Sequence, residues 1–377
     1  MSSNLHHLLS CLWMVLLTAV AMPAYADTTT VHRLEAEGVP SRVIQNNRYL
    51  RGSNPEGEQI KNSLTLKLTY TLQHSGRPGE VGAYHGIGAG MLLTSRQMGR
   101  PVLAYIVQGA PIINFSRSVS LNYELNLGAA FGWKSYRQVD NEDNHVVGSP
   151  VTAYIGADVY LSMKLGRHFD LNVGYGYNHF SNANLRMPNE GFNNMGARVS
   201  AAYYFNRTDQ TARASLFTAE TLPKERRWVW DIVAYGGWKK KSLSLPAGFA
   251  VAGLSVSPTY RLNSAFAIGP SLDGVYDHSV NLTTSDVNGD GQLEYEYPSR
   301  SQQVALGLQA RVELTMPLFR ASGGFGRYIV GGLSCFYETL AMKVDVTRHF
   351  FLNIGYCLYN YNYTNNLMLG IGLRFGS

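Results

Sequence analysis

An all-β chain is predicted, an antiparallel β-barrel that crosses a membrane with its strands, and two observations predict it. Charge is scarce: Asp, Glu, Lys and Arg make up 15% of the 377 residues, against ~25% in a typical soluble domain, yet mean hydropathy is only −0.12. The polar part is therefore built largely from Ser, Thr, Asn, Gln and Tyr, alongside 38 glycines. That mixture suits strands that meet lipid on one face and a lumen on the other, and it excludes a disordered chain. The second observation is alternation of apolar and polar residues over stretches longer than the ~5–6 residues of a soluble strand and nearer the ~9–11 of a membrane strand.

Taken in order, the first 26 residues hold no Asp, Glu, Lys or Arg, and Leu8 to Val20 form an apolar run followed by Ala24-Tyr25-Ala26. The run is short for a ~20-residue spanning helix, so 1–26 reads as a secretory signal cleaved after Ala26. Beyond it, Leu64, Leu66, Leu68, Tyr70 and Leu72 alternate with Thr65, Lys67, Thr69 and Thr71. The same pattern runs through 119–127 and 303–314. Similar stretches at 84–93, 102–113, 149–165, 168–181, 192–205, 228–241, 248–262, 265–278, 326–333, 335–346, 349–360 and 366–375 bring the expected total to about 15 or 16 strands. The last of them holds Gly370-Ile371-Gly372-Leu373-Arg374-Phe375, close to the terminal pattern of outer-membrane barrels.

Arg167-His168-Phe169-Asp170-Leu171-Asn172-Val173-Gly174-Tyr175 returns as Arg348-His349-Phe350-Phe351-Leu352-Asn353-Ile354-Gly355-Tyr356, identical at seven of nine positions. This predicts two related halves, 27–206 and 228–377, joined by a polar linker at 207–227. Two tandem eight-stranded barrels follow, with a single barrel of about 16 strands as the alternative, because hairpins read alike in both.

The net charge of +6 suits an anionic surface such as lipopolysaccharide among the outer-membrane lipids. Cys335 and Cys357 have no zinc spacing and read as packing residues. His85, His168 and His349 lack metal-ligand spacing and read as turn or rim residues, and Lys239-Lys240-Lys241 as a solvated strand end. Asp286 to Glu294 begins like a calcium loop, but Tyr297 stands where the bidentate Glu belongs, so an extracellular hairpin loop is the better reading. No nucleotide-binding loop, dinucleotide fingerprint or nucleic-acid motif is present, and no metal, cofactor or nucleic-acid partner is expected.

One constellation carries chemistry. Leu171, Val173, Tyr175, Tyr177, His179 and Ser181 share one face of a strand, grading from aliphatic to aromatic to polar as it leaves the hydrocarbon. Side chains two residues apart lie on one side, roughly 6.6–7 Å apart at the backbone, so an imidazole and a hydroxyl come within mutual reach. That is the minimum for an activated serine nucleophile. The next strand begins its outward face with Asn193, which an antiparallel partner could bring beside His179 to hold the imidazole tautomer. The bland alternative is that the three residues decorate a headgroup-level rim.

His179-Phe180-Ser181-Asn182-Ala183 followed by Pro188-Asn189-Glu190-Gly191 resembles the signature of the lipid A 3-O-deacylase (PagL) family, outer-membrane barrels that hydrolyse an ester-linked acyl chain of lipid A. The resemblance covers about 65–206 and implies His179 as general base, Ser181 as nucleophile and Asn182 in the oxyanion hole, with lipid A of lipopolysaccharide as substrate. The family's triad acid falls at Asn193, which is not an acid, and Glu190 is the alternative acid. The second half aligns Asn360 with His179 and Asn362 with Ser181, so no catalysis is expected there. The rival function is a catalytically silent barrel, structural or channel-forming.

Overall fold

The structure, a computed structural model, describes residues 30–74, 81–207, 215–218, 227–241, 248–285, 294–315, 319–360 and 363–376. The expected signal, most of the linker, Asn362 and the core of the calcium-like loop at 286–293 lie outside the described residues.

Eight antiparallel strands close a first barrel in sequence order, β1 (Thr30–Val43), β2 (Asn62–His74), β3 (Tyr84–Leu93), β4 (Gly99–Asn114), β5 (Val119–Trp133), β6 (Val151–Leu165), β7 (Phe169–Ser181) and β8 (Phe192–Tyr204). Closure is made by β1 against β8, with Arg33 opposite Tyr204 and Val43 opposite Asn194. The second barrel uses β9 (Trp228–Lys240), β10 (Gly248–Arg261), β11 (Phe266–Asp277), β14 (Val304–Thr315), β15 (Arg320–Gly331), β16 (Phe336–Asp345), β17 (Phe350–Tyr359) and β18 (Tyr363–Phe375), closed by β18 on β9. A two-stranded ribbon, β12 (Thr283–Ser285) with β13 (Glu294–Glu296), stands in the connection between β11 and β14. Two barrels replace the alternative of one large barrel. Each closure satisfies its edge strands within its own half.

Alternation sets which side chains face lipid. On β14, Val304, Leu306, Leu308 and Val312 are exposed, while Ala305, Gln309, Arg311 and Glu313 are buried in the lumen. The barrel strand that sequence reading missed is β1. Its outward residues are Leu34, Ala36, Gly38 and Pro40, too small and mixed to look like a lipid-facing stripe, and its inward face is Arg33, Glu35, Glu37 and Val39.

Those inward charges build the first barrel's ionic core. Arg198 on β8 donates to Glu37 at 2.5 Å and to Glu35 at 3.0 Å, lies 3.4 Å from Glu124, and covers the ring of Tyr160 at 3.8 Å. Lys67 joins Glu37 at 2.5 Å to Asp158 at 3.1 Å, and Arg33 pairs with Glu35. Removing one member of such a buried network leaves the others uncompensated. Arg198→Ala is expected to lower stability by about 3–5 kcal/mol, read as an earlier urea midpoint for the gel mobility shift that separates folded from unfolded barrel. A loss under about 1 kcal/mol would show the network to be dispensable. The second barrel repeats the device with other residues: Asp231 accepts from Lys343 at 2.7 Å and from Arg374 at 2.7 and 2.8 Å, and Glu313 accepts from Lys343 at 2.6 Å.

The repeated nonapeptide occupies the same place in both barrels, the turn into the seventh strand. In each the histidine ring Nδ1 meets a carbonyl of the eighth strand, His168 with Tyr204 at 2.8 Å and His349 with Arg374 at 3.1 Å. Both histidines thus fasten a turn.

Candidate active site

The connections at the two ends of the first barrel differ. The turns at 115–118 and 166–168 are short, whereas 44–61, 134–150 and 182–191 are long. Short turns face the periplasm and long loops the exterior in this kind of barrel, so β7 climbs outward and ends at the external rim with Ser181.

Local packing fixes the direction of the site residues. Phe180 and Phe192 are fully buried and pair with each other across β7 and β8. They point into the lumen against Trp133, at ring separations of 5.3 and 5.5 Å, and Tyr154 stacks on Phe180 at 5.2 Å. With these two anchors inward, the pleat turns His179, Ser181 and Asn193 outward. His179 stands directly opposite Asn193 in the register. Its Nδ1 is 2.6 Å from Asn193 Oδ1, and the same oxygen accepts the Tyr177 hydroxyl at 2.7 Å. An acceptor at that position keeps the proton on Nδ1 and leaves Nε2 as the basic nitrogen. Gly191 sits beside the ring at φ 77°; a Cβ there would lie 3.5 Å from His179 Cε1 on a backbone conformation that favours glycine.

Ser181 follows two residues later and is buried. The chain then leaves the wall through Ala183 and Asn184, both left-handed at φ 56° and 60°. This turn is held by Asn189, whose Oδ1 accepts the Asn182 N–H at 2.9 Å while its Nδ2 donates to Ser181 Oγ at 2.9 Å. Asn182 Nδ2 donates to the Arg186 carbonyl at 2.7 Å and reaches Ser149 Oγ at 3.4 Å. The Asn182 backbone N–H and side-chain amide are thus engaged within the turn and its neighbouring loop. Asn189 is the residue that sequence reasoning left without a role, because only the folded turn brings it back to a serine eight positions earlier. The amide nitrogens of Glu190 and Gly191 donate to His145 and Val146 of the 134–150 loop at 3.1 and 2.9 Å, which pins this segment.

Glu190 is exposed on that loop, and the imidazole nitrogen it was to hold is occupied by Asn193. Desolvation by the surrounding loops raises its carboxyl above the ordinary value, with His145 pulling the other way. Asn193, and not Glu190, is thus the group that meets the imidazole. Among the described residues, the carboxylates close enough to share an ion are Glu37, Glu124 and Asp158. They belong to the ionic core, already bridged by Lys67 and Arg198. In the second barrel Asn360, the counterpart of His179, lies just past the end of β17 and bonds the backbone of Phe336.

Barrel walls of apolar outward residues around lumens that hold buried charge define an outer-membrane β-barrel, with His179, Ser181 and Asn193 on the outer face of one wall. Two family models match the chain, "Lipid A 3-O-deacylase (PagL)" over residues 45–202 and "Acyloxyacyl hydrolase, C-terminal domain" over 228–377. The chain belongs to the lipid A 3-O-deacylase (PagL) and acyloxyacyl hydrolase family, and it resides in the outer membrane.

Solved structures similar to it are membrane barrels at low identity. The translocator domain of autotransporter NalP from Neisseria meningitidis shares 9% identity, with 99% of this chain and 97% of that one covered and a TM-score of 0.19. The β domain of the Bordetella autotransporter BrkA shares 9% over 92% and 98% of the two chains at a TM-score of 0.25. Omp33 of Acinetobacter baumannii shares 8% over 92% and 98% at 0.17. No curated protein matches the chain.

Proposed function

We propose that the first barrel is a serine esterase that removes an ester-linked acyl chain from lipid A. The observation that carries the proposal is the alignment of His179 Nδ1 with Asn193 Oδ1 at 2.6 Å on the outward wall, with Ser181 on the same face. In this mechanism His179 Nε2 takes the Ser181 proton as Oγ attacks the ester carbonyl carbon. The tetrahedral adduct collapses by breaking the bond between the acyl carbon and the alcohol oxygen, and that departing oxygen takes the proton from the imidazolium. Water then attacks the acyl-enzyme with His179 again as base, releasing the fatty acid and restoring Ser181. Asn189 Nδ2, already 2.9 Å from Ser181 Oγ, supplies an oxyanion donor.

Mass spectrometry of lipid A from cells with and without the protein tests the reading: loss of one acyl chain supports it, and unchanged lipid A counts against it. Asn189→Ala is expected to lower kcat by about 10²-fold, as for loss of an oxyanion donor, in protein that still folds. A change under about threefold would confine Asn189 to a structural role. The second reading, a catalytically silent barrel, is favoured by the amide at the acid's position. Its channel-forming variant finds no support in a lumen filled by Trp133, Phe180, Phe192 and the ionic core.

A further inference from the structure

The second barrel carries Asn360 and Asn362 at the positions aligned with His179 and Ser181, yet its outer wall is not uniform. Across β11, β14 and β15 the outward residues form three rows in register: Ile268–Val312–Gly323, Pro270–Ala310–Phe325 and Leu272–Leu308–Arg327. Pro270, Ala310 and Gly323 are short, their neighbours Ile268, Val312, Leu308 and Phe325 are tall and exposed, and an open apolar groove results. Arg327 stands one row beyond Phe325 on β15, opposite Leu308. This arginine is exposed, and its guanidinium lies over the Phe336 ring at 5.3 Å, with Phe336 stacked on Phe325 at 5.4 Å. No ion pair takes up its charge among the described residues, although Glu338 faces outward one row away on β16, opposite Phe325.

The position of Arg327 along the strand makes this unusual. Beyond it toward the 332–335 connection the wall continues with Ile329 and Val330, both exposed. The short turns at 262–265 and 346–349 lie at the opposite end of the barrel from the long 278–303 connection, so the 332–335 end faces the exterior. A cation on a lipid-facing wall, with apolar residues on both sides, is disfavoured in proportion to its depth unless an anion reaches it. The external leaflet offers a molecule with acyl chains below and phosphate at the headgroup level.

We propose that this wall is a non-catalytic binding site for lipid A, with one acyl chain lying in the groove over Pro270 and Ala310 and a phosphate paired with Arg327. The site is separate from the His179–Ser181 centre and does not depend on its being active.

Native mass spectrometry of the full chain in detergent, in a Ser181→Ala background that prevents turnover, tests the proposal with bis-phosphorylated lipid A as probe. Arg327→Glu, which reverses the charge, and Ala310→Trp, which fills the groove, are each expected to weaken one retained lipid A about tenfold or more. Arg327→Lys should retain most of the binding, and dephosphorylated lipid A or phosphatidylethanolamine should bind the parent protein at least tenfold more weakly. Equal retention by parent, Arg327→Glu and Ala310→Trp would overturn the proposal, as would equal retention of the three lipids, which is the behaviour of a general annular layer. The gel mobility shift of each folded variant guards against misfolding. Deacylation by the chain with Ser181 intact is read separately, so failure of the esterase reading and failure of this site are distinguishable.

Discussion

Replacing Ser181 with alanine is expected to reduce acyl release from lipid A by at least about 10³-fold, since loss of a serine nucleophile costs up to about 10⁶ in well-developed triads. In the proposed mechanism Oγ forms the new ester bond, and neither Asn189 nor a loop water can replace it without a different route. The substitution removes one hydroxyl at a strand end whose direction is set by Phe180 and the Asn182–Asn189 turn, so the barrel is expected to stay folded. Initial rates of fatty-acid release from purified lipid A in mixed micelles provide the measurement, with the gel mobility shift as the fold control. Activity within about tenfold of the parent protein would remove Ser181 from the nucleophile's role.

Substituting Asn193→Asp is expected to act in the opposite direction, raising kcat by about 10²–10⁴-fold; the reverse exchange in a serine protease triad costs about 10⁴. The amide oxygen of Asn193 accepts the imidazole Nδ1–H, but it brings no negative charge to the imidazolium that forms when Nε2 takes the serine proton. Aspartate keeps the same side-chain length and inherits both donors already aimed at that oxygen, His179 Nδ1 at 2.6 Å and the Tyr177 hydroxyl at 2.7 Å. Those two hydrogen bonds offset the cost of placing a carboxylate at a half-buried position. An Asn193→Asp variant that folds and is no faster than its parent would show that charge at this site does not limit the reaction, and would favour the silent-barrel reading.

How much of this was legible in the sequence depended on which face of a strand carried the signal. β7 was readable because Leu171, Val173 and Tyr175 mark the lipid side against Asp170 and Asn172 on the other. β1 was not, because Ala36, Gly38 and Pro40 make a weak outer stripe and its inner face holds the charges of the ionic core. The site divided similarly. The shared face of His179 and Ser181 is legible from their spacing, whereas Asn189 sits on a loop whose left-handed residues Ala183 and Asn184 carry no period-two signal.

By itself the sequence determined the alternation, and with it that His179 and Ser181 share the outward face, because the pleat is a local property of each strand. Only the tertiary structure decided that two barrels close separately, that Asn193 and not Glu190 meets the imidazole, and that Asn189 returns to Ser181. Each of these rests on hydrogen bonds between segments distant along the chain, whose register is set by barrel closure and inward packing such as Phe180 against Phe192.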